Sequence, residues 1–452
     1  MSATSTCERG HKLDVVVVGG GIAGLAAAYR LRDRRVLLLE KENRLGGRVL
    51  SGQWDIYPYN LGAQFVTGQR SAVGKFVDEL GVARTPVGKD MALHFRGCHI
   101  RGNLAQVFLR APLSLRAKLS LLRSGLVFST RLLTISRDLA RAGLWQTNGA
   151  SQNPHAPRTE SRLDTMSFGK TLDAFHPDVK ALYATLLSSL TSAEIERLST
   201  LFAIAFLLGS SDHPTLVNDG MEAIVRAWER AMGGRWRAGA EVREIAPDAN
   251  GVRVTFQHNS QMETVSAAYC IVATPAPVVA KLIPSLPASQ STALSEVNYG
   301  RFLVVEMFLE TRVADGVWVM PVEGKVFSTL LNPTHLRVRA GTANDRGALT
   351  LYASDAQARR LWELPDDDLI ARFAADLLTL FPALQGKIAG GRVQRWPWAL
   401  PMWEPGYLAR LPVLRRPFGP IRFCGDYTDF PCLDSAVSSG ERAAVEVRQA
   451  VS

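Results

Sequence analysis

Residues 13–48, LDVVVVGGGIAGLAAAYRLRDRRVLLLEKENRLGGR, restrict the fold of this chain more than any other stretch. Four consecutive valines (15–18) read as a strand buried on both faces. Gly19, Gly21 and Gly24 then make G-x-G-x-x-G, an Ala/Leu-rich run of good helix propensity follows to Leu31, and residues 36–39 form a second apolar strand ending at Glu40. Strand, tight turn, helix, strand and acid in that order predict a βαβ unit that holds a dinucleotide. Gly19 makes the turn, Gly21 lets backbone approach a pyrophosphate, and Gly24 lets helix pack on strand. The pyrophosphate is expected at the helix N-terminus, over the N–H groups around Ile22 and Ala23. Glu40, 16 residues beyond Gly24 with Lys41 beside it, is placed to accept hydrogen bonds from ribose hydroxyls.

Past the second strand, Arg44-Leu45-Gly46-Gly47-Arg48 can bring backbone amides and guanidinium groups to a second phosphate region. Nicotinamide-only Rossmann domains lack this extension. With 452 residues, 47% hydrophobic and 21% charged, the chain has the composition of a globular enzyme and the length for two or three interleaved domains. Its net charge of +10 suits an anionic cofactor but is too small to argue for nucleic acid. Five scattered cysteines (Cys7, Cys98, Cys270, Cys424, Cys432) point to a reducing compartment. Residues 1–12 lack the apolar core of a signal peptide, and the longest apolar run, 201–208, is too short to span a bilayer. The expectation is a soluble, cytoplasmic enzyme acting on a small molecule.

Residues 101–145 read as leucine-rich amphipathic helices carrying eight Lys/Arg (Arg101, Arg110, Arg116, Lys118, Arg123, Arg131, Arg137, Arg141) and one acid, Asp138. Either this is the solvated basic face of a helical substrate domain, or it lies on an anionic membrane surface. Residues 146–161 are polar with two prolines and read as a surface loop. Helical pattern resumes over 166–209 and 222–232, a strand–turn–strand over 241–256 leads to a buried strand at 269–273, and residues 299–415 are mostly strands with one helix at about 366–380. The chain closes with IRFCGDYT (421–428), a strand reaching Gly425-Asp426, and a helix expected to start near Ala436. Asp426 can accept hydrogen bonds from a ligand at the end of that strand. The helix N-terminus can offset negative charge on a bound ring. His94, Cys98 and His99 lack further ligands nearby, so no metal is expected. Cys424 and Cys432 are either a redox pair or, for Cys424, buried packing.

G-x-G-x-x-G, the acid after the second strand, R-x-G-G-R, the loop Gly62-Ala63-Gln64 and the terminal GDYT…AVSSGERAA together resemble the FAD-dependent amine oxidase superfamily. That group spans amine and amino acid oxidases, protoporphyrinogen oxidases and carotenoid-type desaturases. The resemblance implies an α/β fold: a split Rossmann-like FAD-binding domain (12–95, 216–290 and 416–452) interleaved with an α+β substrate-binding domain whose helical part is 96–215 and whose sheet part is 291–415. It implies that the main chain of Val242 meets the adenine, that Ala273 and Thr274 close the FAD domain, and that Gly425, Asp426, Ser435 and Ala436 meet the flavin end. RWPWALPMWEPGYL resembles the segment whose aromatics line the flavin pocket, making Trp396, Trp398, Trp403 and Tyr407 candidates; ordinary core packing is the competing reading of each. Asn60, Asp434 and Ser435 depart from the acid, glutamate and glycine usual in the family.

Three further departures bear on chemistry. Amine oxidases of this group carry a lysine on the strand resembling YGRFLVVEMFL, where this chain has Val304. The cysteine that tethers flavin in monoamine oxidases is missing from Glu404-Pro405-Gly406-Tyr407, so the FAD is expected to be non-covalent. A tyrosine of their aromatic cage is replaced by Cys432. The departures favour dehydrogenation at CH–CH or CH–NH in a bulky, apolar metabolite such as an isoprenoid, a porphyrinogen or another biosynthetic intermediate. The alternative is an amine or L-amino acid oxidase that passes electrons to O2 and releases hydrogen peroxide.

Overall fold

The computed structural model describes residues 13–68, 71–88, 91–141, 144, 161–209, 214–313, 318–334 and 346–451. The loop expected at 146–161 lies outside them except for Ser161. At the centre, β1 (Leu13–Val18) runs parallel to β2 (Val36–Leu39) on one side and to the end of strand Gln261–Val272 on the other. Parallel pairing continues outward to Trp236–Arg237 beside β2 and to Ile421–Phe423 beside Gln261–Val272. The sheet core therefore joins segments from the beginning, the middle and the end of the chain. Its central strands are mostly apolar because both faces are covered: Val15 to Val18, Ile271, Val272 and Phe423 are all buried.

Helix α1 (Ile22–Arg30) and the C-terminal helix Leu433–Val451 share one apolar cluster on the same face of this sheet. Arg30 ties them at the surface by pairing with both Glu79 and Glu441. Trp228 on helix Glu222–Met232 donates to Leu25 O at 2.7 Å. The first half of Gln261–Val272 turns back through Gly251–His258 and Glu241–Asp248 as an antiparallel meander, extending the strand pair expected at 241–256.

A second sheet is antiparallel, in the order Val319–Pro321, Thr329–Leu331, Gly347–Ala353, Tyr299–Leu309, Ile388–Pro401. Side-chain alternation along Tyr299–Leu309 gives it two distinct faces. Leu303, Val305, Met307 and Leu309 pack with Phe373 and Leu377 of helix Asp366–Leu380. Val304, with Phe302 and Phe308, packs instead with Tyr59 and Leu61, which follow the Arg48 loop. The helical layer consists of Leu104–Arg110, Leu115–Arg141, Phe168–Leu172, Pro177–Thr191 and Thr200–Gly209, packed around Phe128, Phe168 and Tyr183. Among the described residues, no helix is long and apolar enough to cross a membrane.

Within the mostly stranded stretch expected at 299–415, residues 325–332 are strand only over Thr329–Leu331. The last helix starts at Leu433, three residues before the expected Ala436. Val437 is buried in the α1 cluster and Leu433 packs partly buried against it, which draws the helix start back.

Candidate active site

In register, Val18 lies level with Leu39 and with Val272, and Val272 lies level with Phe423. Four parallel strands therefore end on one edge, and the residues that follow them are Gly19, Glu40, Ala273-Thr274 and Cys424-Gly425-Asp426. That edge is where open α/β sheets bind ligands.

Gly19 takes φ +106, and a Cβ there would stand 2.8 Å from Ala273 O. A Cβ on Gly24 would stand 1.9 Å from Gly19 O, so α1 sits directly on the turn. Gly21 differs from both. Its backbone is ordinary (φ −70, ψ 171), and a Cβ built on it meets no atom within 4 Å. The space beside it is a cradle open to a ligand at the N-terminus of α1, where the amides of Ile22 and Ala23 begin the helix. Glu40 accepts from Gly20 N at 2.6 Å and from Glu42 N at 2.9 Å, fixing the glycine turn against β2, with Lys41 exposed beside it.

Gly46 and Gly47 are brought onto this turn: Gly46 N donates to Gly20 O at 2.7 Å, and a Cβ on Gly47 would lie 3.2 Å from Gly21 Cα. Arg44, expected to bring a guanidinium to phosphate, has its protein partners within this loop. It donates to Leu45 O, Val49 O and Gly47 O, at 3.2, 3.2 and 2.7 Å, so the loop's own carbonyls occupy it.

Arg48 instead crosses to the last segment of the chain. Its Nη1 and Nη2 lie 2.7 and 3.0 Å from the two carboxylate oxygens of Asp426, and Nη1 also donates to Ala399 O. Burial opposes the charge on Arg48, but attraction and hydrogen bonding to Asp426 outweigh it and the guanidinium pKa stands above its ordinary value. Tyr299 flanks the pair, its hydroxyl accepting from Ala276 N at 3.2 Å; burial, reinforced by the Asp426 charge, raises its pKa.

The loop Gly62-Ala63-Gln64 is pinned from the second sheet. Tyr352 donates to Gly62 O at 2.5 Å and accepts from Gln64 Nε2 at 2.6 Å, while Trp396 donates to Leu61 O at 2.6 Å. Ala63 N reaches Arg48 O at 3.0 Å. Val242 is buried beside a bulge in the meander. Ala273 N is held by Val18 O at 2.8 Å. Because the last helix starts at Leu433, Ala436 N is taken by Cys432 O at 3.1 Å and Ser435 N contacts Cys432 Sγ at 3.5 Å. The donors without intrahelical partners are thus earlier than Ala436.

The four aromatic candidates are not gathered. Trp396 lies against the Leu61 loop and Trp398 is exposed. Trp403 and Tyr407 are buried with Phe202 and Phe430, with Trp403 donating to Asp164 at 3.1 Å and Tyr407 to Tyr427 O at 2.8 Å. Burial lifts the thiols of Cys424 and Cys432 to about 12 and about 11, so neither is poised for redox exchange. His94 and His99 face each other across a hairpin, and the described residues hold no group of three or more potential metal ligands.

Tyr299 and Tyr352 escaped the reading of the sequence. Each sits in a strand pattern that explains it as sheet packing, and only tertiary contact reveals what its hydroxyl holds.

The residues present fit FAD. Gly21 leaves an open cradle, the strand ends form one shelf, and two buried hydroxyls on it, Thr274 Oγ1 and Tyr427 Oη, have no partner among the described residues. The chain is 27% identical to a Mycobacterium tuberculosis protein described as a flavin-containing monoamine oxidase, AofH, over 96% of each. It is 25% identical to coproporphyrinogen III oxidase of Mycobacterium bovis, over 96% of this chain and 97% of that one. Its fold is shared with a redesigned putrescine oxidase (TM-score 0.77, 22% identity, 97% and 99% covered) and with cyclohexylamine oxidase from Brevibacterium oxydans (TM-score 0.77, 20% identity, 98% and 100% covered). Residues 22–448 match the model of the flavin-containing amine oxidoreductases, and the chain belongs to that family of FAD-dependent oxidoreductases.

Proposed function

We propose that this oxidoreductase introduces a double bond into a bulky, largely apolar metabolite. The carrying observation is Val304. It is fully buried on the sheet face turned toward Leu61, among Phe302, Phe308, Tyr59 and Tyr352, where the resemblance calls for a lysine. Bound FAD supplies the hydride acceptor. The chain supplies placement. Gly21 and the amides of α1 take the pyrophosphate, Glu40 lies by the adenosine ribose, and the Arg48–Asp426 pair joins the first and last cofactor segments. Tyr352 and Trp396 hold the Gly62 loop, and the apolar face beside it excludes water and seats a carbon skeleton. The flavin is held without a covalent bond, as Glu404-Pro405-Gly406-Tyr407 has no cysteine.

A specific observation favours the second reading, an amine oxidase. The chain is 27% identical, over 96% of its length, to a protein described as a flavin-containing monoamine oxidase. Anaerobic bleaching of the flavin by a panel of porphyrinogens, isoprenoids, amines and amino acids separates the two. Bleaching by an apolar CH–CH donor is expected; brisk peroxide-forming turnover of a simple amine would sink the leading reading.

A further inference from the structure

Helix Leu115–Arg141 has two apolar faces, and only one of them is used by the fold. Ala117, Leu121, Ser124, Phe128, Ile135 and Leu139 face inward and are buried. At 100° per residue their mean direction lies nearly opposite a second row at i, i+4, i+7, i+11 and i+18: Leu115, Leu119, Leu122, Leu126 and Leu133. These five leucines expose 59–75% of their surface, and Leu109, on the preceding helix, exposes 73%. Single exposed leucines need no explanation; five on one face between residues 115 and 133 of a 27-residue helix, broken only at Ser129 and Thr130, do.

The charges flanking the row identify its occupant. Lys118 lies on one side and Arg116 and Arg123 on the other, Arg137 caps the row one turn beyond Leu133 in line with Leu119, and Asp138, the acid of this helix, is turned inward and buried. We infer that this helix lies in the surface of an anionic lipid bilayer, with its outer leucines among the acyl chains and its Lys/Arg at the headgroups. An apolar stripe edged by cations whose long stems reach past it is the pattern of an interfacial helix. A second copy of the chain fits poorly, because pairing this face with itself brings cations together without acids to answer them. Residues 145–160 are no better match: they contain no Leu, Ile, Val or Phe and a single acid, Glu160. The surface needs no spanning segment, in keeping with the described helices. It is independent of which bond the enzyme oxidises.

The test is sedimentation of the FAD-loaded enzyme with vesicles of phosphatidylcholine alone or containing about one-third phosphatidylglycerol. Binding to the anionic vesicles is expected at about 50 mM salt and should weaken at least tenfold at about 500 mM. The double variant L122E/L126E should weaken binding by about a hundredfold or more, since it removes two apolar anchors and adds two repelled charges. R116E/R123E should weaken it by about tenfold or more. Flavin absorbance of each variant reports that it is folded, and the second variant stands if the first does not fold. Three results would overturn the inference: no sedimentation at low salt, binding that ignores both variants, or a wild-type dimer that L122E/L126E converts to monomer.

Discussion

Arg48 and Asp426, 378 positions apart, meet as a two-pronged ion pair in which the Asp426 side chain is far more deeply buried than that of Arg48. Asp426 keeps 5% of its side-chain surface and Arg48 keeps 36%. Removing the two partners should therefore not be equivalent. Arg48→Ala strands a buried carboxylate, at about 3–5 kcal/mol. Asp426→Ala leaves a partly exposed Arg48 side chain that can still bond Ala399 O, at about 1–3 kcal/mol. Urea unfolding of the apoprotein measures both. Equal losses would mean that the pair is not asymmetrically solvated.

Gly21 and Gly24 belong to one motif but should fail in different ways. Gly21→Ala places its methyl in open space, so the apoprotein should melt at or slightly above the wild-type temperature. FAD binding should weaken at least tenfold, about 1.4 kcal/mol or more. Gly24→Ala drives a methyl into Gly19 O, and should destabilise the apoprotein by at least about 1–3 kcal/mol. Thermal melts with and without added FAD separate the two. A Gly21→Ala protein that binds FAD normally would remove the pyrophosphate from this cradle.

Tyr352 holds the Gly62 loop from the opposite sheet, and burial keeps its phenol protonated, with a pKa above the ordinary value, so that it can donate. Tyr352→Phe should cost about 1–3 kcal/mol, as Gly62 O keeps only the longer bond from Gln64 Nε2 and that amide loses the Tyr352 hydroxyl. It should also shift the flavin absorbance and the rate of anaerobic reduction. A stability loss with an unchanged spectrum would confine Tyr352 to packing.

Much of this arrangement was legible in the sequence because it is local. Gly19 to Glu40 is a contiguous motif, and its strands, turn and helix fell where periodicity and glycine placed them. Arg44 and Arg48 show the limit. Both suit phosphate by type and spacing, but their protein partners were not legible there: Arg44 bonds the carbonyls of its own loop and Arg48 a carboxylate near the far end of the chain. A flexible guanidinium takes the nearest buried acceptor, and nearness was fixed by tertiary packing. Tryptophans near a motif were similarly ambiguous: Trp396 reached the Gly62 loop, while Trp403 sank into a core of Phe202 and Phe430.

Asp164 should give the protein a measurable pH slope. Burial raises its pKa, although Leu408 N and Trp403 Nε1 donate to it at 2.9 and 3.1 Å. The native state then holds this proton more tightly than the unfolded chain does. Its contribution is fully present below the ordinary value of 3.8 and is lost as pH rises through the higher native value. Asp164→Asn should be less stable overall, by about 1–3 kcal/mol, since one amide oxygen cannot serve both donors. It should nevertheless lose less stability than wild type as pH rises from about 4 toward neutrality. Urea midpoints across that range decide. A variant with the wild-type slope would place the titration elsewhere.

The central sheet also dictates an order of events during synthesis. β1 and β2 can pair as soon as they leave the ribosome, but the other edge of β1 waits for residues 267–272, and those wait for Ile421–Phe423. At the usual 5–20 residues per second, roughly 20–80 s separate the making of Val18 from that of Phe423. Through that interval the nascent chain carries apolar strand edges with no neighbour, the condition in which strands seek foreign partners. Such a topology favours slow folding and reliance on chaperones. It also means that the shelf for the cofactor comes into being only once nearly the whole polypeptide has been made.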